Sequence, residues 1–123
     1  MKSWIKDLAI KTASKSLYPQ FKHGAVLASG GRVFASGVNT EKSFAPKTGE
    51  SVHAEIVALK RAITSAVRRD RKLRFDVYVA RINTLGQTGM SRPCPKCMAA
   101  LQACGLIDRI YYTTNNGWEG IRV

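Results

Sequence analysis

The sequence predicts an α/β fold in which helices cover the faces of one mixed sheet. Three observations carry that expectation: an opening run with helical spacing, several short strand-like segments, and two further helical runs that alternate with them. With 123 residues, the chain can build one compact domain, residues 1–123, and is too short to divide comfortably into two. Apolar residues make up 45% and charged residues 23%, values of a globular protein and not of a disordered segment.

Trp4, Ile5, Leu8, Ala9, Thr12, Ala13 and Leu17 recur at helical spacing, with Ser3 placed to cap the run and Pro19 to stop it. Ala25 to Ala28 and Val33 to Val38 flank Ser29-Gly30-Gly31, whose glycines tolerate the positive backbone angles of a tight hairpin turn. Asn39 to Val52 is polar, broken by Pro46 and Gly49, and long for a connection in a small domain, so it is a candidate functional loop. Helical spacing returns from His53 to about Val67, and Phe75 to Ala80 reads as a strand. After a second loop, Asn83 to Pro93, Pro95 suits the first turn of a helix that should run to Cys104 and stop at Gly105. Ile110 to Thr113 is a strand, and Asn116-Gly117 predicts a hairpin into a short last strand ending at Val123. The order is α-β-β-α-β-α-β-β.

The net charge is +12 and the isoelectric point near 10.1, a balance that favours an anionic partner such as a nucleotide or nucleic acid over a merely solvated basic surface. Two of the three cysteines sit three residues apart in Pro93-Cys94-Pro95-Lys96-Cys97, which reads as metal ligation in a reducing compartment rather than as a disulfide framework. The first eight residues lack the apolar core of a signal peptide, and no run approaches the ~18 apolar residues of a membrane span. A cytoplasmic setting without membrane association is expected.

Two motifs carry chemistry: His53-Ala54-Glu55 at one helix start and Pro93-Cys94-Pro95-Lys96-Cys97 at the next. Residues three apart on a helix share a face, so Cys94 and Cys97 can point at one ion while His53 supplies a third ligand from a facing helix start. Helix N-termini carry partial positive charge, which favours the thiolate that binds zinc. Three protein ligands leave a fourth tetrahedral position for water, as in catalytic zinc sites, whereas structural sites close with four. Neither Cys104 nor His23 is placed by the sequence to be that fourth ligand. Zinc lowers the pKa of bound water from about 15.7 toward 7, and the resulting hydroxide can attack C4 of cytosine or C6 of adenine. Glu55, two residues from His53, is placed to take the water proton and pass it to the ring nitrogen and the leaving amine. P-C-x-x-C arises by chance in about 0.1% of chains this long and H-x-E in roughly 10–15%, so only their combination is specific. That combination is the pattern of zinc deaminases.

At these residues the chain resembles the cytidine deaminase-like superfamily, the zinc-dependent cytidine and deoxycytidylate deaminases. Lys22-His23-Gly24-Ala25-Val26-Leu27, Gly37-Val38-Asn39 and His53-Ala54-Glu55-Ile56-Val57-Ala58-Leu59 resemble the family's first hairpin, its strand-end Asn and its first zinc helix. The resemblance implies a three-layer α/β/α sandwich around a five-stranded mixed sheet, with Zn2+ held by His53, Cys94 and Cys97 and Glu55 as the catalytic residue. It implies that Asn39 binds the sugar or base edge of the substrate and that the Ala54 backbone N–H meets the base carbonyl. From the residues alone, Asn39 could equally be a strand-end turn residue bonding its own backbone. His as first ligand resembles the deoxycytidylate, tRNA adenosine and polynucleotide deaminases more than the free-cytidine enzymes, which tilts toward phosphorylated substrates. The chain departs from the tRNA adenosine deaminases in having no helix after its last predicted strands.

The densest basic cluster is Arg68, Arg69, Arg71, Lys72 and Arg74, a candidate nucleic-acid track. It falls about 20 Å from the start of a helix that begins at His53, and cations there also suit a helix C-terminus. Nearer the motifs, Lys42, Lys47, Lys96 and above all Arg92 are candidates for a substrate phosphate, since a guanidinium can grip phosphate bidentately; Arg92 could also be simply solvated. The expected activity is hydrolytic deamination of a cytosine nucleotide or nucleoside, deoxycytidylate-like substrates favoured. Deamination of single-stranded DNA or RNA is the alternative, and a non-catalytic zinc-stabilised nucleic-acid module a further one. By analogy with small deaminase-like domains, a homo-oligomer is expected.

Overall fold

The computed structural model describes residues 3–16, 22–41, 51–52, 56–59, 61 and 74–123. Gly30 and Gly31, at φ 57° and 83°, form the two-residue turn between β1 (Lys22–Ser29) and β2 (Arg32–Val38), as the paired glycines predict. Strand β5 (Phe75–Ile82) pairs antiparallel with β1 and parallel with β6 (Ile107–Thr114), and β7 (Gly117–Arg122) pairs antiparallel with β6. The sheet order is β2-β1-β5-β6-β7, a five-stranded mixed sheet.

Strand alternation divides the core into two layers. Ala25 and Leu27 of β1, Phe75, Val77 and Val79 of β5, and Ile110 and Tyr112 of β6 face one side, where they meet Ala58, Leu59 and Leu101. Val26, Ala28, Tyr78, Ala80 and Ile82 face the other and meet Ile5, Ala9 and Ala13 of α1 (Ser3–Ala13). The helical residues 56–59 and 61 mark α2, and α3 spans Pro95–Ala103. With α1 on one face and α2 and α3 on the other, the architecture is the expected α/β/α sandwich. No described helix is long and apolar enough to cross a membrane.

Two glycines set how closely the helices approach. A Cβ on Gly24 would lie 2.7 Å from Ala13 Cα and 2.8 Å from the Ala9 carbonyl oxygen, and one on Gly37 would lie 2.9 Å from the Ala58 nitrogen. These are backbone atoms, so no side chain can give way. Gly24→Ala should therefore lower stability by about 1–3 kcal/mol through forced displacement of α1. A denaturant midpoint equal to that of the parent chain would contradict this packing.

Several boundaries differ from expectation. The first helix ends at Ala13, followed by tighter turns in which Lys15 and Ser16 donate to the Thr12 and Ala13 carbonyls. The Thr12 and Ser14 hydroxyls donate to the Leu8 and Lys11 carbonyls within that last stretch, competing with a continued helix. The final hairpin pairs Thr114 with Gly117, so its loop is Asn115-Asn116 and Gly117, at φ 134°, opens β7. An Asn116-Gly117 turn would have put Asn116 at positive φ, and no described non-glycine residue is there.

Inside the expected long loop lies a pair of two-residue strands, β3 (Thr40–Glu41) and β4 (Ser51–Val52), with Thr40 opposite Val52. The register places the end of β2, the start of β1 and the end of β5 at one edge of the sheet, with Gly24 opposite Val38 and Lys22 opposite Ile82. Asn39, the β3–β4 pair and the loop entering α3 therefore gather where the parallel strands β5 and β6 end. In open α/β sheets, ligands bind outside those strand ends.

Candidate metal centre

Pro95 opens α3 at its first turn, and Cys94 is the N-cap residue, extended at φ −64° and ψ 165°, with its carbonyl accepting from Met98 N at 2.8 Å. Cys97 follows in the first turn and is 5% exposed, while Cys94 is half-buried. The two sulfur-bearing residues thus bracket the positive end of α3, Cys94 just before the helix rather than on its face as the spacing alone suggests. None of the three cysteines is in a disulfide. Two sulfur ligands bracketing one helix start are a soft donor pair, and this donor set fits zinc. Among the described residues no cluster of three or more His, Cys, Asp or Glu forms around them.

Cys104 is not a candidate third ligand. It caps the opposite end of the nine-residue α3, about 13 Å away at ~1.5 Å per residue, and its sulfur lies 3.1 Å from the Leu101 carbonyl. His23 lies in β1. His53, Ala54 and Glu55 are outside the described residues, as are Lys42, Lys47, Arg68, Arg69, Arg71 and Lys72; Val52, the residue before His53, ends β4 at the same sheet edge.

The approach to Cys94 is fixed by a hydroxyl pair that the sequence reading did not single out. Ser91, 3% exposed, accepts from Thr113 N at 2.7 Å and donates to the Val79 carbonyl at 2.8 Å, tying the loop to β5 and β6 together. Thr113, fully buried, donates its hydroxyl to the Gly89 carbonyl and accepts from Arg81 N at 3.0 Å. The two hydroxyl oxygens are 2.9 Å apart, and Ser91 N also donates to the Thr113 carbonyl. Ser91→Ala would take a partner from the buried Thr113 N–H and from the Val79 carbonyl, so it should cost about 1–3 kcal/mol. Combined with Thr113→Val the losses should be strongly non-additive; simple additivity in a double-mutant cycle of urea midpoints would show that the pair does not act as one clip.

Asn39 is 6% exposed at the end of β2. Its side-chain oxygen accepts from the Ser16 hydroxyl at 2.6 Å and from His23 N at 3.1 Å, so it bonds neighbouring elements and not merely its own turn. Two donors on one oxygen fix which way the amide faces. The tail of α1 thereby reaches the site edge through Ser16, a contact between short polar side chains with no periodic signal in the sequence.

Arg92, exposed, stands beside the Tyr112 hydroxyl, which donates to Glu119 Oε2 at 2.9 Å across the β6–β7 pair. The hydrogen bond to Glu119 pushes the Tyr112 phenol above its usual range, with burial and the Glu119 charge adding to it and Arg92 opposing it. Arg92 is therefore part of a three-residue polar group next to Pro93 and Cys94. Lys96 is exposed on α3. Arg74 of the basic cluster is committed locally: its guanidinium contacts Asp108 at 2.8 Å and donates to the Gly105 carbonyl at 3.0 Å. The ion pair joins the residue before β5 to β6, and the hydrogen bond to Gly105 ties it to the loop behind α3.

The family model for the cytidine and deoxycytidylate deaminase zinc-binding region matches residues 1–114, and the chain belongs to this family. Among solved structures, it is similar to cytidine deaminase from Burkholderia pseudomallei, with TM-score 0.67 and 25% identity over 99% of this chain and 93% of that one. A dCMP deaminase from the cyanophage S-TIM5, in complex with dCMP and dUMP, matches with TM-score 0.63 and 23% identity over 93% and 84% of the two chains. Cytidine deaminase from Mycobacterium leprae matches with TM-score 0.63 and 20% identity over 98% and 94%. No curated protein matches the sequence.

Proposed function

We propose that the protein is a zinc-dependent hydrolase that deaminates a cytosine nucleotide or nucleoside, with a deoxycytidylate-like substrate favoured. The observation that carries this reading is the Cys94/Cys97 pair at the start of α3, at the same sheet edge as Asn39 and as Val52, which leads into His53-Ala54-Glu55. His53, Cys94 and Cys97 hold the metal, which when bound supplies the Lewis acidity that makes water nucleophilic at neutral pH. Glu55 takes a proton from the attacking water and delivers protons to N3 and to the amino group at C4, so that ammonia leaves and uracil remains. Asn39, held by Ser16 and His23, orients the sugar or base edge, and the Ala54 N–H meets the base carbonyl. Arg92 binds the substrate phosphate with N–H groups not directed at Tyr112, which a guanidinium with five donors allows. The S-TIM5 neighbour, solved with dCMP and dUMP, supports a monophosphate substrate. We place the protein in the cytoplasm as a homo-oligomer.

The net charge of +12 favours a second reading, deamination of cytosine or adenine in single-stranded DNA or RNA. Ammonia release from cytidine, deoxycytidine, their monophosphates, adenosine and single-stranded oligonucleotides separates the two. Turnover confined to the deoxycytidine or cytidine monophosphate is the expected result. Turnover of oligonucleotides alone would select the second reading, and none on any substrate with zinc bound would overturn both.

A further inference from the structure

Among the described residues, the two sheet faces are covered unequally. Helix α1 packs on β1, β2 and β5, and among the described residues no helix covers the same face of β6 and β7. Cross-strand register fixes what that face presents. Arg109 lies opposite Arg122, Tyr111 opposite Gly120, and Thr113 opposite Trp118, with Asp76 and Tyr78 alongside on β5. Tyr78 is buried and forms the floor, with ring centroids 4.9 Å from Tyr111 and 6.3 Å from Trp118. A Cβ on Gly120 would lie 2.8 Å from the Tyr111 ring, so the glycine is what lets that ring lie down across β7.

We propose that this face binds single-stranded nucleic acid, with bases stacking on Tyr111 and Trp118 and phosphates held by Arg109 and Arg122. Half-buried aromatic rings on adjacent strands, flanked by arginines on a sheet surface, are the arrangement that stacks unpaired bases. Charge supports the same occupant. Two exposed arginines directly opposite each other repel, and the Asp76 carboxylate across from Arg109 offsets only one of them, since Asp108 is paired with Arg74. A polyanion relieves that repulsion, and the net charge of +12 draws it in. A second copy of this chain fits worse, because a two-fold interface there would bring four arginines together. The face lies opposite the one on which Leu101 of α3 packs, so binding is independent of the deaminase reading.

The test is fluorescence anisotropy of the zinc-loaded full chain with labelled dT20, rU20 and a duplex of the same length, together with quenching of Trp118 in a Trp4→Phe background. Expected are tighter binding of the single strands than of the duplex, quenching by unlabelled oligonucleotide, and a roughly tenfold or greater weakening in Tyr111→Ala or Trp118→Leu. Trp118→Leu keeps apolar volume against Tyr78 should an alanine there fail to fold. Arg109→Glu with Arg122→Glu should weaken binding and flatten its salt dependence by about 0.7 per lost phosphate contact. Lys11→Glu with Lys15→Glu, an equal charge change on exposed residues of α1 and its tail, should do much less. An equal loss in both double variants, unquenched Trp118, equal affinity for duplex, or a dimer in light scattering that the arginine reversals dissociate would each overturn the proposal. Whether dT20 or rU20 binds tighter identifies the sugar preference; failure on both overturns the face while leaving monophosphate turnover untouched.

Discussion

Cys97→Ala should abolish activity and leave the purified chain with about 0.1 zinc or less per molecule, read by metal analysis after dialysis. The size of the effect follows from burial. Cys97 is 5% exposed in the first turn of α3, so its sulfur is shielded from water and its loss cannot be made good by solvent without opening the core. An alanine methyl offers the metal no donor atom. Cys104→Ala is the matched control, because that sulfur sits at the far end of α3 against Leu101 and should leave zinc content unchanged. Full zinc retention by the Cys97 variant would mean that the metal is held elsewhere.

Glu55→Gln should lower kcat by about 10²- to 10⁴-fold while zinc content and thermal stability stay near those of the parent. The amide keeps the shape of the carboxyl group and removes its capacity to accept and return a proton, so the loss isolates proton transfer from folding. Full activity in Glu55→Gln would assign the shuttle to another residue.

The strands, helices and both core layers were legible because they are periodic. Val26 and Ala28 alternate with Ala25 and Leu27 in the sequence as they do across the sheet, and Ile5, Ala9 and Ala13 share a helical stripe. The start of α3 was legible because Pro95 suits a first helical turn. What the sequence concealed are long-range contacts between short polar side chains: Ser16 with Asn39, Ser91 with Thr113, and the two-residue β3–β4 pair. Such contacts have no period, and each partner alone looks like an ordinary loop residue. The commitment of Arg74 to Asp108 was hidden for the same reason, since within Arg68 to Arg74 it reads as one more cation.

The antiparallel pairing of Thr40–Glu41 with Ser51–Val52 gives the stretch between them a common neck. Glu41 and Ser51 are held opposite each other there, which fixes the two flanks of that stretch next to Asn39. In general, doubling the length of a flexible stretch whose ends are joined costs only about 0.6 kcal/mol in closure entropy. The fold thus fixes the chain at Glu41 and Ser51, and replacing the residues between these two positions should leave the β1–β2 hairpin and α3 folded, read by an unchanged thermal midpoint.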